Sequence, residues 1–309
     1  MRIVSLLPSA TEIICALGLT DSLVGVSHEC DYPPEIVGRP IVTEPKINPA
    51  ADSADIDAAV RRLVRDGASV YRIKTDVLKR LQPDLIVTQE HCEVCAVSYD
   101  EVVAATRELL ERPATIVSLK PTRLDDVLAD VQRVADAAGV SSTGTALTAR
   151  LRERLDNVRT RVARAHSRPR VACIEWLDPL MAAGNWVPEL VTLSGGSYDM
   201  VAPGVPSPTL SWDDLVAAAP DVMILMPCGF KLEQTQRELR RVMQHPQWRQ
   251  LPAARNRRVY AVDGNAYLNR PGPRIVDSAE LLAGLIQPGL CAANIPPNSY
   301  VRVDEQSNG

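Results

Sequence analysis

Two Rossmann-like α/β lobes, joined by one long α-helix and with a ligand cleft between them, are what the sequence predicts. Three observations carry this. Short β-branched runs alternate with helical patterns, the signature of parallel sheets built from βα units. The alternation runs twice, once in each half of the chain. A long amphipathic segment with a narrow apolar stripe separates the two series.

In the first half, strands are predicted at Arg2–Leu7, Leu23–Val26, Leu85–Thr88 and Thr115–Ser118. Helices are predicted between them at Thr11–Leu17, Ile56–Arg65, Thr75–Leu81 and Tyr99–Leu110. Ser9 with Glu12 three residues on reads as a capping box, and Asp55 and Thr75 are the expected N-caps of later helices. Pro83 ends the helix before its strand. Leu124–Ala138 is helical, and Gly139 opens a Ser/Thr-rich break. In Ala146–His166, Leu147, Leu151, Leu155, Val158 and Val162 recur at helical spacing among arginines. A helix of ~20 residues spans ~30 Å, enough for a semi-rigid spacer; the plainer alternative is one more helix on a single domain. The second series has strands at Arg170–Ile174, Val222–Met226 and Arg258–Val262. Its helices fall at Pro188–Leu193, Trp212–Ala218, Lys231–Met243 and Pro273–Leu285. The expected division is therefore an N-terminal lobe over 1–140, a connecting helix over 141–167, a C-terminal lobe over 168–290 and a loose polar tail over 291–309.

Composition fits this division. The 309 residues correspond to two domains at about 150 residues each. Lys+Arg 34 against Asp+Glu 38 leaves a net charge of −4, too balanced for a nucleic-acid surface. No stretch approaches ~18 uninterrupted apolar residues, so no membrane insertion is expected. The 7 cysteines are odd in number on a long chain, which argues against a disulfide scaffold and for a reducing compartment. Met1-Arg2 runs directly into the first strand, so a cytoplasmic location is expected. The alternative is a periplasmic or otherwise extracytoplasmic protein whose leader has been removed.

Ligands of open α/β sheets bind outside the carboxyl ends of the strands, which directs attention to the loops there. In the first lobe these loops carry Pro8 and Ser9, then His28, Cys30 and Tyr32, then His91, Cys92 and Cys95. Four readings compete for the His/Cys set. Cys30, Cys92, Cys95 and one imidazole could form a zinc site of CxxC spacing. Cys92 and Cys95 at a helix start could be a redox dithiol. The side chains could line a cleft, with His28, His91, Cys92 or Cys95 coordinating the metal of a bound chelate. Or they only pack. In the second lobe, Trp176, Trp186, Phe230, Tyr267 and Arg270 occupy polar, Gly/Pro-bearing loops suited to a flat ligand, whereas Trp212 and Trp248 are expected to pack on helices. No nucleophile elbow, P-loop or dinucleotide fingerprint occurs, so no catalytic residue is expected.

The ordered series Arg2-Ile3-Val4-Ser5-Leu6-Leu7-Pro8-Ser9-Ala10-Thr11-Glu12, Leu23-Val24-Gly25-Val26-Ser27, Leu81-Gln82-Pro83-Asp84-Leu85-Ile86-Val87, Gly195-Gly196, Val205-Pro206-Ser207-Pro208-Thr209-Leu210-Ser211 and Pro273-Arg274-Ile275 is similar to the class III substrate-binding proteins. That family serves ABC importers by binding cobalamin, haem or iron–siderophore chelates, and the chain most resembles its cobalamin-binding branch. The resemblance implies a corrinoid clasped between two lobes, with Trp176, Trp186, Tyr267 and Arg270 against the corrin. It also implies permease docking through one acidic residue on each lobe, for which Asp76 and Asp213 are the nearest matches. The expected function is non-catalytic binding of cobalamin or a related corrinoid, or of another metal chelate, with an ABC transporter permease as partner. The alternatives are zinc-type metal-ion binding through the His28/Cys30/Cys92/Cys95 loops, and a thiol redox or corrinoid-processing factor.

Overall fold

The computed structural model describes residues 1–66, 68–90 and 99–303. The chain forms two compact α/β units. The first comprises Met1–Ala51, Asp55–Pro121 and Asp125–Leu151, and the second comprises Asp52–Ala54, Thr122–Leu124 and everything from Arg152 onward.

In the first unit, β1 (Ile3–Ser5), β2 (Leu23–Val26), β5 (Leu85–Gln89) and β6 (Thr115–Leu119) form a parallel sheet in the order β2-β1-β5-β6. Ile3 pairs with Leu85 and Ser5 with Val87, so the amino-terminal strand is central and buried on both faces. That explains its unbroken apolar character. A small antiparallel pair, β3 (Thr43–Pro45) with β4 (Tyr71–Ile73), lies outside the predicted series. The helices are α1 (Pro8–Ala16), α2 (Ser53–Arg65), α3 (Thr75–Leu81), α4 (Tyr99–Leu109) and α5 (Leu124–Ala137). Val4, Leu6, Val42, Leu78, Ile86 and Val102 form the core under them.

Three caps differ from expectation. α1 starts at Pro8, with Leu7 in the N-cap position and no side-chain cap. Proline suits the first helical position because its φ is already set and it lacks the N–H that a cap would satisfy. The Ser9/Glu12 capping box therefore does not form. α2 begins at Ser53, which puts Asp55 inside the first turn, where a carboxylate favours the helix dipole. Thr75 is the first residue of α3, and Lys74 holds the cap position.

α6 (Ser141–Val162) starts before the predicted Ala146 and ends before His166. Its apolar stripe is buried from Leu147 through Val162, and membership changes from the first unit to the second between Leu151 and Arg152. The second unit's sheet runs β11-β10-β9-β7-β8. β7 (Val171–Leu177), β9 (Val222–Leu225) and β10 (Val259–Val262) are parallel, while β8 (Leu180–Ala182) and β11 (Tyr300–Arg302) close the edges antiparallel. The polar tail is thus corrected at residues 300–302, which pair with β10. Around the sheet lie α7 (Val187–Leu193), α8 (Trp212–Ala218), α9 (Leu232–Met243), α10 (Pro252–Arg255), α11 (Ile275–Ile286) and α12 (Pro288–Cys291). Trp248 is buried in this core and Trp212 packs against it, as expected of both.

Candidate functional site

The order β2-β1-β5-β6 makes β1 the strand from which connections leave in both directions, so the first unit's switch point lies between β1 and β5. Pro8 and Ser9 stand at the carboxyl end of β1. Pro8 is half-buried, and Ser9 is buried with no hydrogen-bond partner for its Oγ among the described residues. His91, Cys92 and Cys95, which follow β5, lie outside the described residues.

His28 lies just past the end of β2 and is held from several sides. Its backbone N–H donates to Thr43 Oγ1 (3.1 Å), its Nδ1 lies 2.8 Å from the same oxygen, and Thr43 Oγ1 donates to Ser27 Oγ (3.0 Å). The ring packs at 5.0 Å from Tyr71, whose hydroxyl donates to Glu29 Oε1 (2.7 Å). Burial pushes the imidazole pKa down to about 4, the Lys74 ammonium adds to this, and Glu44 opposes it. His28 is therefore neutral at pH 7. Cys30 accepts from Thr11 Oγ1 (3.1 Å), and Tyr32 is exposed. Among the described residues no cluster of three or more His, Cys, Asp or Glu could hold a metal ion.

In the second unit, the strand ends gather the aromatic and polar residues that the sequence singles out. Trp176, near the end of β7, is half-buried, meets Phe230 edge-on at 5.2 Å, and donates from Nε1 to the Ser53 carbonyl (3.1 Å). Tyr267 is half-buried, with the Arg274 guanidinium 5.9 Å from its ring centre. Arg270 is buried and donates to Asn265 Oδ1 (2.7 Å). Two of the expected ligand-facing aromatics are buried in this structure. Phe230 is only 2% exposed and Trp186 only 6%, and the Trp186 Nε1–H is committed to the Leu268 carbonyl at 2.7 Å. Trp176 and Tyr267 keep partly open faces.

Glu175, absent from the sequence-based set, is the acidic group of this face. Its Oε2 accepts from Ser207 Oγ (2.6 Å), and that hydroxyl also accepts from the Gly184 N–H (3.0 Å). Burial raises its pKa, opposed by these donors. Gly184 is required here, since an added Cβ would overlap the Val205 carbonyl. The available signal was a single carboxylate inside the apolar run Ala172-Cys173-Ile174-Glu175-Trp176-Leu177. No sequence pattern marks Thr43 or Ser27, whose roles come only from their contact with His28.

The acidic pair expected to dock a permease is exposed on both units. Asp76 is ion-paired with Arg80 one turn on (2.9 Å), which holds its carboxyl below the usual range, and Asp213 accepts from Gln247 Nε2 (2.5 Å). Cys15, Cys173, Cys228 and Cys291 are free thiols, and burial pushes the Cys173 thiol up, away from reactivity.

A family model described as periplasmic binding protein matches residues 3–266. A vitamin B12-binding protein of Vibrio cholerae is 27% identical over 287 residues, covering 90% of this chain and 86% of the relative. Among solved structures, the periplasmic vitamin B12 binding protein BtuF of Vibrio cholerae superposes with a TM-score of 0.65 at 24% identity, covering 93% of this chain and 96% of that one. The periplasmic heme-binding protein RhuT from Roseiflexus sp. RS-1 does so with 0.69, also at 24%, covering 94% and 98%. These structural likenesses establish the fold.

Proposed function

The chain belongs to the periplasmic binding protein family, whose members are non-catalytic substrate-binding proteins of ABC transporters, and on that premise we propose that its ligand is a corrinoid of the cobalamin class. The protein is a binder of metal-chelate ligands and not an enzyme. The observation that carries the corrinoid reading is the 27% identity, across 90% of the chain, to a vitamin B12-binding protein. The strand-end faces add chemical support. Trp176 and Tyr267 offer flat apolar surface, and Arg270 and Glu175 offer charge and hydrogen bonding at fixed points, a mixture suited to a large ring with polar arms. Asp76 and Asp213 are the residues offered to a permease. The odd number of cysteines, 7 on a long chain, supports residence in a reducing compartment.

The test is titration of the reduced, metal-free protein with cyano-, hydroxo- and adenosylcobalamin, followed by absorbance and heat, with haem as comparator. Binding of at least one corrinoid at or below ~10 μM, equivalent to ~7 kcal/mol, is expected. No corrinoid binding at that concentration overturns the reading, and tighter binding of haem redirects it to tetrapyrroles carrying iron.

A further inference from the structure

His28 is built differently from an imidazole that merely fills a turn. A hydroxyl has one proton to give, and the Thr43 proton goes to Ser27. With the Thr43 proton directed at Ser27, the 2.8 Å contact between Thr43 Oγ1 and His28 Nδ1 is made with the proton on Nδ1; with Ser27 donating to Thr43 instead, the proton would sit on Nε2. The first arrangement anchors Nδ1–H on Thr43 and leaves a lone pair on Nε2. Among the described residues Nε2 makes no hydrogen bond. The ring plane is fixed as well, by the backbone bond to Thr43 and by Tyr71, itself tethered to Glu29. His28 is only half-buried, and its unengaged nitrogen is the one that the fixed ring leaves available. A histidine held rigidly at Nδ1 with Nε2 open has the form of a metal ligand with its supporting shell in place. The neighbouring Cys30 differs, because its sulfur is already engaged by Thr11. His28 also stands at the carboxyl end of a parallel strand, the edge where ligands of such sheets bind.

We propose that His28 Nε2 is an axial ligand to the metal of the bound chelate, displacing a water molecule from a cobalt(III) corrinoid. The inference rests on the corrinoid reading above and adds a coordinate bond to it. The exchange is balanced without redox chemistry: the cobalt–oxygen bond to water breaks, a cobalt–nitrogen bond forms from the Nε2 lone pair, water leaves, and the proton stays on Nδ1, hydrogen-bonded to Thr43 Oγ1. Thr43 and Ser27 are positioning residues for this bond.

The experiment uses the full chain with aquocobalamin and with diaquocobinamide, whose axial sites are both held by water, and cyanocobalamin as a control. Binding is expected to move the near-ultraviolet corrin band to longer wavelength with the two aquo forms. His28→Ala is expected to bind without that movement, and Thr43→Val to weaken aquocobinamide binding about tenfold while leaving cyanocobalamin little changed. Binding by the wild type with no band movement, or a movement that survives in His28→Ala, overturns the inference and leaves the corrinoid reading standing; no binding of any corrinoid overturns that reading instead. A nitrogen-15 spectrum of the ligand-free protein supplies an arm independent of variants: His28 protonated at Nε2 rather than Nδ1 overturns the assignment.

Discussion

Asp130 shows how a single buried group sets a pH dependence. It lies within α5 with no exposed surface, ion-paired to Arg133 one turn on, and its Oδ2 has no hydrogen-bond partner among the described residues. Burial raises its pKa from 3.8 to about 6, Asp126 adds to the rise, and Arg133 opposes it. A carboxyl whose folded pKa is raised costs stability when ionised, and the cost disappears as pH falls from about 6 to about 4 and the folded state alone takes up the proton. The separation corresponds to ~3 kcal/mol at full effect. Asp130→Asn is therefore expected to be more stable than the wild type at pH 7 by up to ~3 kcal/mol, with the difference closing toward pH 4. Urea unfolding at pH 7, 6, 5 and 4 reads this directly; a variant that is less stable than wild type at pH 7 would mean that the Arg133 pair outweighs desolvation. Nothing in the sequence marks Asp130, which sits in a segment carrying several other aspartates. Its burial is decided by the packing of α5. The same holds for the polar shell of His28: the histidine was legible, while Thr43 reaches it from a strand too short to announce itself.

At the level of elements, the parallel strands and their helices were legible because an unbroken apolar run or a helical stripe is imposed by burial itself. What escaped were three-residue strands whose existence depends on a partner. β8 and β3 are of this kind, and so is β11 (Tyr300–Arg302), which follows Pro296-Pro297-Asn298 and looks like a tail. Its pairing supplies the reason for its order. Tyr260 lies opposite Arg302 and Val262 opposite Tyr300, the Tyr260 and Tyr300 rings meet at 5.7 Å, and Val303 is buried in the core beyond the strand. Without β11 the β10 edge would present unpaired N–H and C=O groups. Deleting residues 300–309 is expected to cost about 2–3 kcal/mol, the range for losing one buried aliphatic side chain together with part of a strand pairing, and to promote self-association. Thermal unfolding and light scattering of the shortened chain check both effects. An unchanged midpoint would make the strand incidental.

For the whole molecule, the amphipathic spacer α6 is the continuous element in which the chain passes from one unit to the other. α6 gives Leu147 to the first unit and Leu155, Val158 and Val162 to the second, all buried, without interruption between them. On the second unit's side, Arg154 is fixed to Asp277 (2.6 Å) and Glu280 (2.7 Å) of α11, a helix buried along nearly its whole length. Loss of helical order in one half of α6 therefore propagates along its hydrogen-bond ladder toward the other unit's core, since elongation and fraying of a helix are cooperative. The two units are accordingly expected to unfold in one coupled transition. Proline at the changeover removes an interior hydrogen bond and clashes with the preceding turn, at a cost of ~3 kcal/mol. Arg152→Pro leaves the buried stripe residues in place and is expected to split the calorimetric transition into two, each with its own midpoint. A single transition in the variant, at the wild-type temperature, would show that the helix joins the units without coupling them.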